Sequence, residues 1–234
     1  MTVIILAGGL GTRLSGVLNG KPKTLADING TPFLFFLINK LCKEGFKDFV
    51  FSLQYKAEDI IEYVNTLKGT ILSGAKIQFV IEPSPLGTGG AIAYAINNTQ
   101  LKGEFIVVNS DTLIQRGYGD LCNCVGNAMA IVEVQNVSRY GTVSIDRNKK
   151  IIYEFKEKEE TGLSGFINAG IYKLHSNIFK NWDGNKFSIE SDLFPKIVKK
   201  KELNYFIINS DFCDIGVPED YFNFVASNNN KNKK

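Results

Sequence analysis

The chain has 234 residues, a formal net charge of +3, four cysteines and one histidine, and 44% of its residues are hydrophobic. This length can bury the core of one α/β domain, and the small charge excess argues against a nucleic-acid partner. The sequence has neither a signal-peptide pattern nor an apolar run of membrane-spanning length, so we expect a cytoplasmic protein with no membrane partner. The cysteines lack paired spacing, which predicts reduced thiols rather than a zinc site.

A glycine-rich loop follows the first predicted strand, over residues 2–6, and reads Leu6-Ala7-Gly8-Gly9-Leu10-Gly11-Thr12-Arg13. Glycines let a backbone approach a ligand closely and turn successive N–H groups toward one anion. The spacing matches neither the dinucleotide fingerprint nor the P-loop. Glycines alone would fit a simple turn equally well. The cations Arg13 and Lys23 favour a polyphosphate site instead.

Predicted helices and strands alternate along the first half of the chain. Helices are predicted at 31–45, 57–67 and from about 91, and strands at 49–53, 77–81 and 105–108. This alternation predicts parallel strands with helices on both faces of a sheet.

After about residue 125 the predicted strands become shorter and alternate more clearly between apolar and polar residues. They cover 128–134, 142–145, 151–155, 166–173 and 205–208, with helices at 190–199 and from about 218. We therefore expect a β-rich half that continues the sheet of the first half. The asparagine- and lysine-rich end, 228–234, is predicted to be disordered.

Acidic residues follow several of the predicted strands. Glu82 opens the turn that runs to Gly90, Asp111 follows the strand 105–108, and Asp214 ends a later predicted apolar strand. Because the carboxyl ends of parallel strands share one edge of a sheet, we expect the first two beside the glycine loop. A lone aspartate is more often a cap or a turn residue. Two aspartates at strand ends could instead share a Mg²⁺, which prefers oxygen ligands.

Together these segments resemble the sugar-1-phosphate nucleotidyltransferases, also called nucleotide-sugar pyrophosphorylases. The resemblance implies an α/β, Rossmann-like (GT-A-like) three-layer sandwich with a mixed, mostly parallel central sheet and a β-rich sugar-binding half. One domain would span 1–227, with the nucleotide-binding half ending near 125. The matching segments, in chain order, are 6–14, 22–23, 82–83, 86–91, Asp111, 155–158, 168–172 and 214–221.

The reaction implied by this resemblance is attack of a sugar 1-phosphate on the α-phosphorus of a nucleoside triphosphate, with release of pyrophosphate and Mg²⁺ as cofactor. The implied catalytic residues are Arg13, Lys23 and Asp111, and the implied metal ligands are Asp111 and Asp214. The implied sugar-phosphate residues are Glu157, Lys158 and Asn168. The implied nucleotide-binding residues are Leu6, Ala7, Gly8, Gly9, Gly11, Thr12, Glu82, Gly87 and Thr88.

Two positions depart from the family pattern, in which proline commonly occupies the place of Thr24 and glycine that of Ser110. Both changes leave the charged groups in place. A catalytically idle sugar-nucleotide sensor on the same fold is the alternative from a different class. Such relatives typically lose the cationic or metal-binding residues, which this chain retains.

Glu82 is the residue that indicates which nucleotide base the site binds. A carboxylate only accepts hydrogen bonds, so it suits the adjacent N1–H and amino donors of guanine, and we expect GTP. Backbone groups of the loop could read the base instead. Within the family the chain most resembles the D-glycero-α-D-manno-heptose 1-phosphate guanylyltransferases, followed by enzymes acting on mannose 1-phosphate or glucose 1-phosphate. The product would serve surface polysaccharide synthesis, such as capsule or lipopolysaccharide, and we expect a monomer or homodimer.

Overall fold

The computed structural model describes residues 1–18, 20–156 and 163–231, and a nine-stranded sheet forms its centre. The strands are β1 (Val3–Leu6), β2 (Asp27–Ile28), β3 (Thr31–Pro32), β4 (Asp48–Leu53), β5 (Lys76–Ile81), β6 (Glu104–Asn109), β7 (Thr112–Ile114), β8 (Asn127–Val134), β9 (Thr142–Asp146), β10 (Ile151–Lys156), β11 (Gly165–His175), β12 (Leu203–Ile207) and β13 (Phe212–Asp214).

The helices that flank the sheet are α1 (Ser15–Leu18), α2 (Phe33–Lys43), α3 (Ala57–Thr66), α4 (Gly87–Thr99), α5 (Tyr118–Cys122), α6 (Phe194–Lys199) and α7 (Pro218–Lys231). Short 3₁₀ segments lie at Thr12–Leu14, Lys23–Leu25 and Ser176–Phe179, and Ile189–Leu193 forms a π-helical turn. Over the described ranges, no helix is both long and apolar enough to cross a membrane.

The central sheet joins the two halves of the chain. Its strand order is β5-β4-β1-β6-β11-β8-β12-β10-β9, and among these strands only β10 and β11 run against the others. The expected mixed, mostly parallel and continuous sheet is therefore confirmed. Two small antiparallel pairs, β2 with β3 and β7 with β13, lie outside it. Neither pair was predicted from the sequence, and α5 was not predicted either.

Each face of the sheet carries its own apolar core, which makes three layers. Along β1, Val3 and Ile5 belong to one core and Ile4 to the other. In β4, Phe49 and Phe51 join the first core and Val50 the second. Helices α2 and α3 contribute to the first core, and α4 and α6 contribute to the second. The alternation of side chains along each strand thus separates the two cores.

Helix α2 shows why the periodic prediction succeeded. Leu34, Leu37, Ile38 and Leu41 are fully buried on one face, each stabilising the fold by roughly 1.5–3 kcal/mol. Pro32 precedes the first turn, and Gly45 just beyond the helix has φ +90°, which glycine adopts without steric cost.

Besides shifts of one or two residues at several ends, the structure differs from the sequence prediction at three places. Helix α4 begins at Gly87 rather than near 91, because the first-turn N–H groups of Gly89 and Gly90 donate to the Phe187 carbonyl. The helix predicted at 190–199 is divided into a π-helical turn and α6.

The third difference concerns the chain end, which was predicted to be disordered over 228–234. Helix α7 continues through Lys231, so the first part of that segment is helical, and 232–234 lie outside the described residues. The ring of Phe224 lies 5.3 Å from that of Phe33 and 5.8 Å from that of Phe36. This packing against α2 anchors the helix, and an anchored helix can extend into residues of low intrinsic helix propensity.

Candidate active site

Two adjoining cavities open where parallel strands of the first half end. The first cavity has a volume of about 430 Å³ and the second about 230 Å³. Arg13, Asn109 and Asp111 line both, so the cavities meet at these side chains. β1 pairs with β4 on one side and β6 on the other, which places the first cavity where the strand order switches.

The first cavity is built from the loop after β1, the turn after β5 and the end of β6. Its lining residues are Leu6, Gly8, Gly9, Gly11, Thr12, Arg13, Lys23, Thr24, Ser52, Glu82, Pro85, Gly87, Thr88, Ala91, Asn109, Ser110, Asp111 and Gly216. Of the nine predicted nucleotide-binding residues, Ala7 alone is absent from this lining. It is 3% exposed, and its backbone N–H donates to the Ser52 carbonyl at 2.9 Å, tying the loop to β4.

Gly11 fixes the position of one predicted catalytic residue. Its φ is +62°, and a Cβ atom there would lie 2.8 Å from Cβ of Lys23. A larger residue would strain the backbone and displace Lys23, so glycine is required at this turn.

The two predicted cations lie in different electrostatic situations. The Lys23 ammonium forms an ion pair with the Asp111 carboxylate. The Arg13 side chain lies where the two cavities meet, and no described residue forms a hydrogen bond or ion pair with its guanidinium. The Arg13 guanidinium is therefore open to an anionic ligand, whereas Lys23 already offsets a fixed negative charge.

Asp111 and Asp214 are brought together by the small sheet that was not predicted. Asp214 ends β13 opposite Thr112 of β7, and the N–H of Ile215 donates to the Asp111 carbonyl at 3.0 Å. Burial and then the negative charge of Asp111 raise the pKa of Asp214 to about 6, although Lys23 and the Gly216 N–H act in the opposite direction. Two close, partly neutralised carboxylates fit a hard divalent cation.

Glu82 is 8% exposed and lines the first cavity. Its Oε2 accepts a hydrogen bond from the Leu86 N–H at 3.0 Å, and its Oε1 lies beside Gly8, 3.2 Å from where a Cβ would be. Burial raises the pKa of Glu82, and the Leu86 hydrogen bond partly opposes this. Hydrogen bonds from the Leu86 N–H and the Ser52 side chain thus orient the carboxylate, whose oxygens keep further lone pairs for a ligand.

The second cavity lies between β6, β10, β11, the loop that precedes β9, and the small sheet of β7 and β13. Its residues are Arg13, Asn109, Asp111, Thr112, Arg139, Tyr140, Gly141, Phe155, Asn168, Ala169, Gly170, Glu190, Phe212 and Asp214. Asn168, a predicted sugar-phosphate residue, accepts from the Gly170 N–H at 2.9 Å and donates to the Tyr172 hydroxyl at 2.8 Å. These contacts leave one amide N–H of Asn168 for a ligand. Glu157 and Lys158, the other two predicted sugar-phosphate residues, lie outside the described residues.

Arg139, Tyr140 and Glu190 line the second cavity and were not predicted from the sequence. The polar residues that follow β8 in the sequence are the signal that could have identified Arg139 and Tyr140. Glu190 was predicted to lie in a helix. The residues near it in the sequence do not indicate that it contacts a residue about a hundred positions earlier.

Comparisons with known proteins identify the family to which this chain belongs. The model of the family described as "Nucleotidyl transferase" matches residues 2–231. The D-glycero-alpha-D-manno-heptose 1-phosphate guanylyltransferase of Campylobacter jejuni is 40% identical over 97% of this chain and 100% of its own, and that of Aneurinibacillus thermoaerophilus is 36% identical over 94% and 95%.

Among solved structures, HddC from Yersinia pseudotuberculosis complexed with GMP-PN is 37% identical, covers 97% of this chain and 98% of its own, and has a TM-score of 0.82. These relatives match almost the whole chain rather than one motif. By family match, relatives and fold, the chain belongs to the nucleotidyl transferase family and resembles its sugar-phosphate branch.

Proposed function

We propose that this enzyme joins D-glycero-α-D-manno-heptose 1-phosphate to GTP, forming a guanine-nucleotide sugar and pyrophosphate. The observation that carries the proposal is the meeting of two cavities at Arg13 and Asp111, beside an acidic residue that suits guanine. The printed names of the heptose guanylyltransferase relatives support the choice of both substrates.

In this reaction a phosphate oxygen of the sugar 1-phosphate forms a bond to the α-phosphorus of GTP. The bond between that phosphorus and the oxygen bridging to the β-phosphate breaks, and pyrophosphate leaves with the bonding electrons. Both reactants are anions, so the site must offset their repulsion and hold them in line. The guanidinium of Arg13 and the ammonium of Lys23 would stabilise the charge that develops on the departing pyrophosphate.

Asp111 and Asp214 would hold a Mg²⁺ ion, which supplies charge neutralisation for the phosphates of both substrates. Within the described ranges, no group of three or more His, Cys, Asp or Glu residues could hold a metal by itself. Substrate phosphates and water would therefore supply the other ligands, which is usual for Mg²⁺.

Glu82 would read the base by accepting from guanine N1–H and the 2-amino group. Its hydrogen bond from Leu86 orients the carboxylate, and its burial makes an unmatched base costly. In the second cavity, Asn168 would donate to a sugar hydroxyl. Glu157 and Lys158, which lie outside the described residues, are expected from the family resemblance to bind the sugar and its phosphate. We place the enzyme in the cytoplasm, as a monomer or homodimer, supplying surface polysaccharide synthesis.

The test is pyrophosphate release with four nucleoside triphosphates against a panel of heptose, mannose and glucose 1-phosphates. We expect the highest kcat/KM for GTP with the heptose 1-phosphate. A preference for mannose 1-phosphate would correct the sugar, and a preference for UTP or CTP would correct the base. Absence of pyrophosphate release with every pair would refute the proposed reaction and favour the sugar-nucleotide sensor.

A further inference from the structure

Glu190 is a charged residue of the second cavity for which neither the sequence pattern nor the proposed reaction provides a role. It lies in the π-helical turn Ile189–Leu193 that precedes α6 and lines the second cavity. Its Oε2 accepts hydrogen bonds from the Thr88 hydroxyl and, at 2.7 Å, from the Ser188 hydroxyl. Thr88 lines the first cavity and Glu190 the second, so this hydrogen bond links the linings of the two cavities.

The segment that carries Glu190 is held firmly against the first turn of α4. The Phe187 carbonyl accepts from the N–H groups of Gly89 at 3.1 Å and Gly90 at 3.2 Å, and the Phe187 N–H donates to the Leu86 carbonyl at 3.0 Å. A Cβ on Gly89 would lie 2.1 Å from the Phe187 ring, so only glycine permits this approach. The N–H of Ile189 also donates to the Thr88 hydroxyl at 3.0 Å.

These contacts fix one carboxylate oxygen of Glu190 and, among the described residues, give the other no hydrogen-bond partner. No residue in the described ranges donates a hydrogen bond to Oε1 or forms an ion pair with Glu190. The buried hydroxyl of Tyr172 lies close enough that the negative charge of Glu190 contributes to raising the pKa of Tyr172, after burial. A pre-oriented oxygen of this kind in a cavity can accept a hydrogen bond from a ligand hydroxyl.

We propose that Glu190 determines sugar specificity by accepting a hydrogen bond from one ring or side-chain hydroxyl of the sugar 1-phosphate. The inference rests on the proposed function and adds to it a residue and an interaction. Because a carboxylate cannot donate, it rejects a sugar that presents only an acceptor at that position. The Thr88 and Ser188 hydroxyls hold the carboxylate in place, so little ordering free energy is lost when the sugar binds.

The discriminating variant is Glu190→Gln. The amide oxygen can still accept from Thr88 and Ser188, but the amide nitrogen replaces the acceptor that would face the sugar. The matched control is Asp192→Asn, the same chemical change two residues along. The Asp192 carboxylate accepts from the Ser188 N–H at 2.7 Å and lines neither cavity.

Both variants and the parent enzyme are assayed with the sugar 1-phosphate that gives the highest kcat/KM, and with its deoxyfluoro analogues, one for each hydroxyl. Fluorine keeps the size of the hydroxyl roughly but cannot donate a hydrogen bond. We expect Glu190→Gln to lower kcat/KM for the natural sugar by about ten- to a hundredfold, mainly through KM, with the KM for GTP unchanged. For one analogue the variant and the parent should become equal.

The inference is overturned if Glu190→Gln lowers kcat/KM by the same factor for every analogue, or not at all, because a purely structural residue would give a uniform loss. An equal loss in Asp192→Asn would also overturn it. Failure of the parent enzyme to turn over any sugar 1-phosphate would instead refute the proposed function, so the two failures are distinguishable.

Discussion

The ammonium of Lys23 forms an ion pair with the carboxylate of Asp111, although 88 positions separate the two residues. Asp111 in turn repels the largely buried carboxylate of Asp214. One cation therefore partly offsets the charge of two acidic groups at the place where the cavities meet. The role of the cation can therefore be separated from that of the aspartates by removing each charge in turn.

Replacing Lys23 with methionine keeps the aliphatic stem and removes the charge. We expect kcat to fall by about a hundredfold, with a smaller change in affinity for the sugar 1-phosphate, because the charge acts on the departing pyrophosphate. Single-turnover kinetics and direct binding separate the two quantities. Lys21→Met, in the same loop but in the lining of neither cavity, is the control. Weakened sugar-phosphate binding with unchanged single-turnover chemistry would contradict the assignment.

Asp111→Asn and Asp214→Asn each remove one anionic oxygen ligand without changing the shape of the side chain. We expect turnover to fall by about a hundredfold or more in each, together with a higher Mg²⁺ concentration for half-maximal activity. The measurement is a Mg²⁺ titration of pyrophosphate release, with the exposed Asp211→Asn as control. Full activity of the parent enzyme in excess chelator would show that these residues do not hold a required metal.

Glu82→Gln tests the reading of the base. The amide oxygen can keep the hydrogen bond from the Leu86 N–H, while the amide nitrogen presents a donor where guanine also presents donors. The parent enzyme should prefer GTP over ITP and UTP by roughly ten- to a hundredfold, since an unmatched buried oxygen costs about 1–3 kcal/mol. The variant should show a smaller preference with unaltered Mg²⁺ use. Equal preference in both proteins, measured as kcat/KM, would mean that the loop backbone reads the base.

Asp214→Asn should stabilise the protein in the presence of chelator. The pKa of Asp214 is about 6 in the folded protein, against roughly 3.9 for an unfolded aspartate. Because the folded pKa is raised, the parent protein has this contribution to stability below about pH 4 and loses it as pH rises through 6. The asparagine of the variant cannot ionise. The free energy of unfolding of the variant, relative to that of the parent, should therefore increase as pH rises from about 4 to above 6.

At pH 8 the difference should reach about 2–3 kcal/mol, an increase of roughly 5–10 °C in Tm. Thermal unfolding of the parent, Asp214→Asn and Asp211→Asn proteins at pH 4.5 and pH 8 measures it. A pH-independent difference, or an equal gain in Asp211→Asn, would contradict the electrostatic cause. The stabilised variant should still be a poor enzyme, because the repulsion that it removes belongs to the predicted metal site.

Local features made the first cavity predictable. Side-chain periodicity located α2 and the parallel strands, and parallel strands end at one edge of their sheet, so the glycine loop, Glu82 and Asp111 were expected together. A glycine turn, or an acidic residue at the end of a strand, can be recognised from a few consecutive residues. The exception within this cavity was Ala7, which follows the lining residue Leu6 but is buried in the core, because consecutive residues here face opposite directions.

The tertiary structure decided the relationships between distant segments. Asp214 approaches Asp111 through the pairing of β7 with β13, and Glu190 meets Thr88 across 102 positions because the segment at Phe187 covers the first turn of α4. No local pattern distinguishes these residues from ordinary turn or helix residues, since their hydrogen-bond partners lie outside any sequence window. The sequence by itself determined which chemical groups stand at strand ends and in glycine turns. Only the packing of β7, β13 and the π-helical turn determined that Asp214 and Glu190 lie beside them, because closure of such long loops depends on the summed burial of both cores.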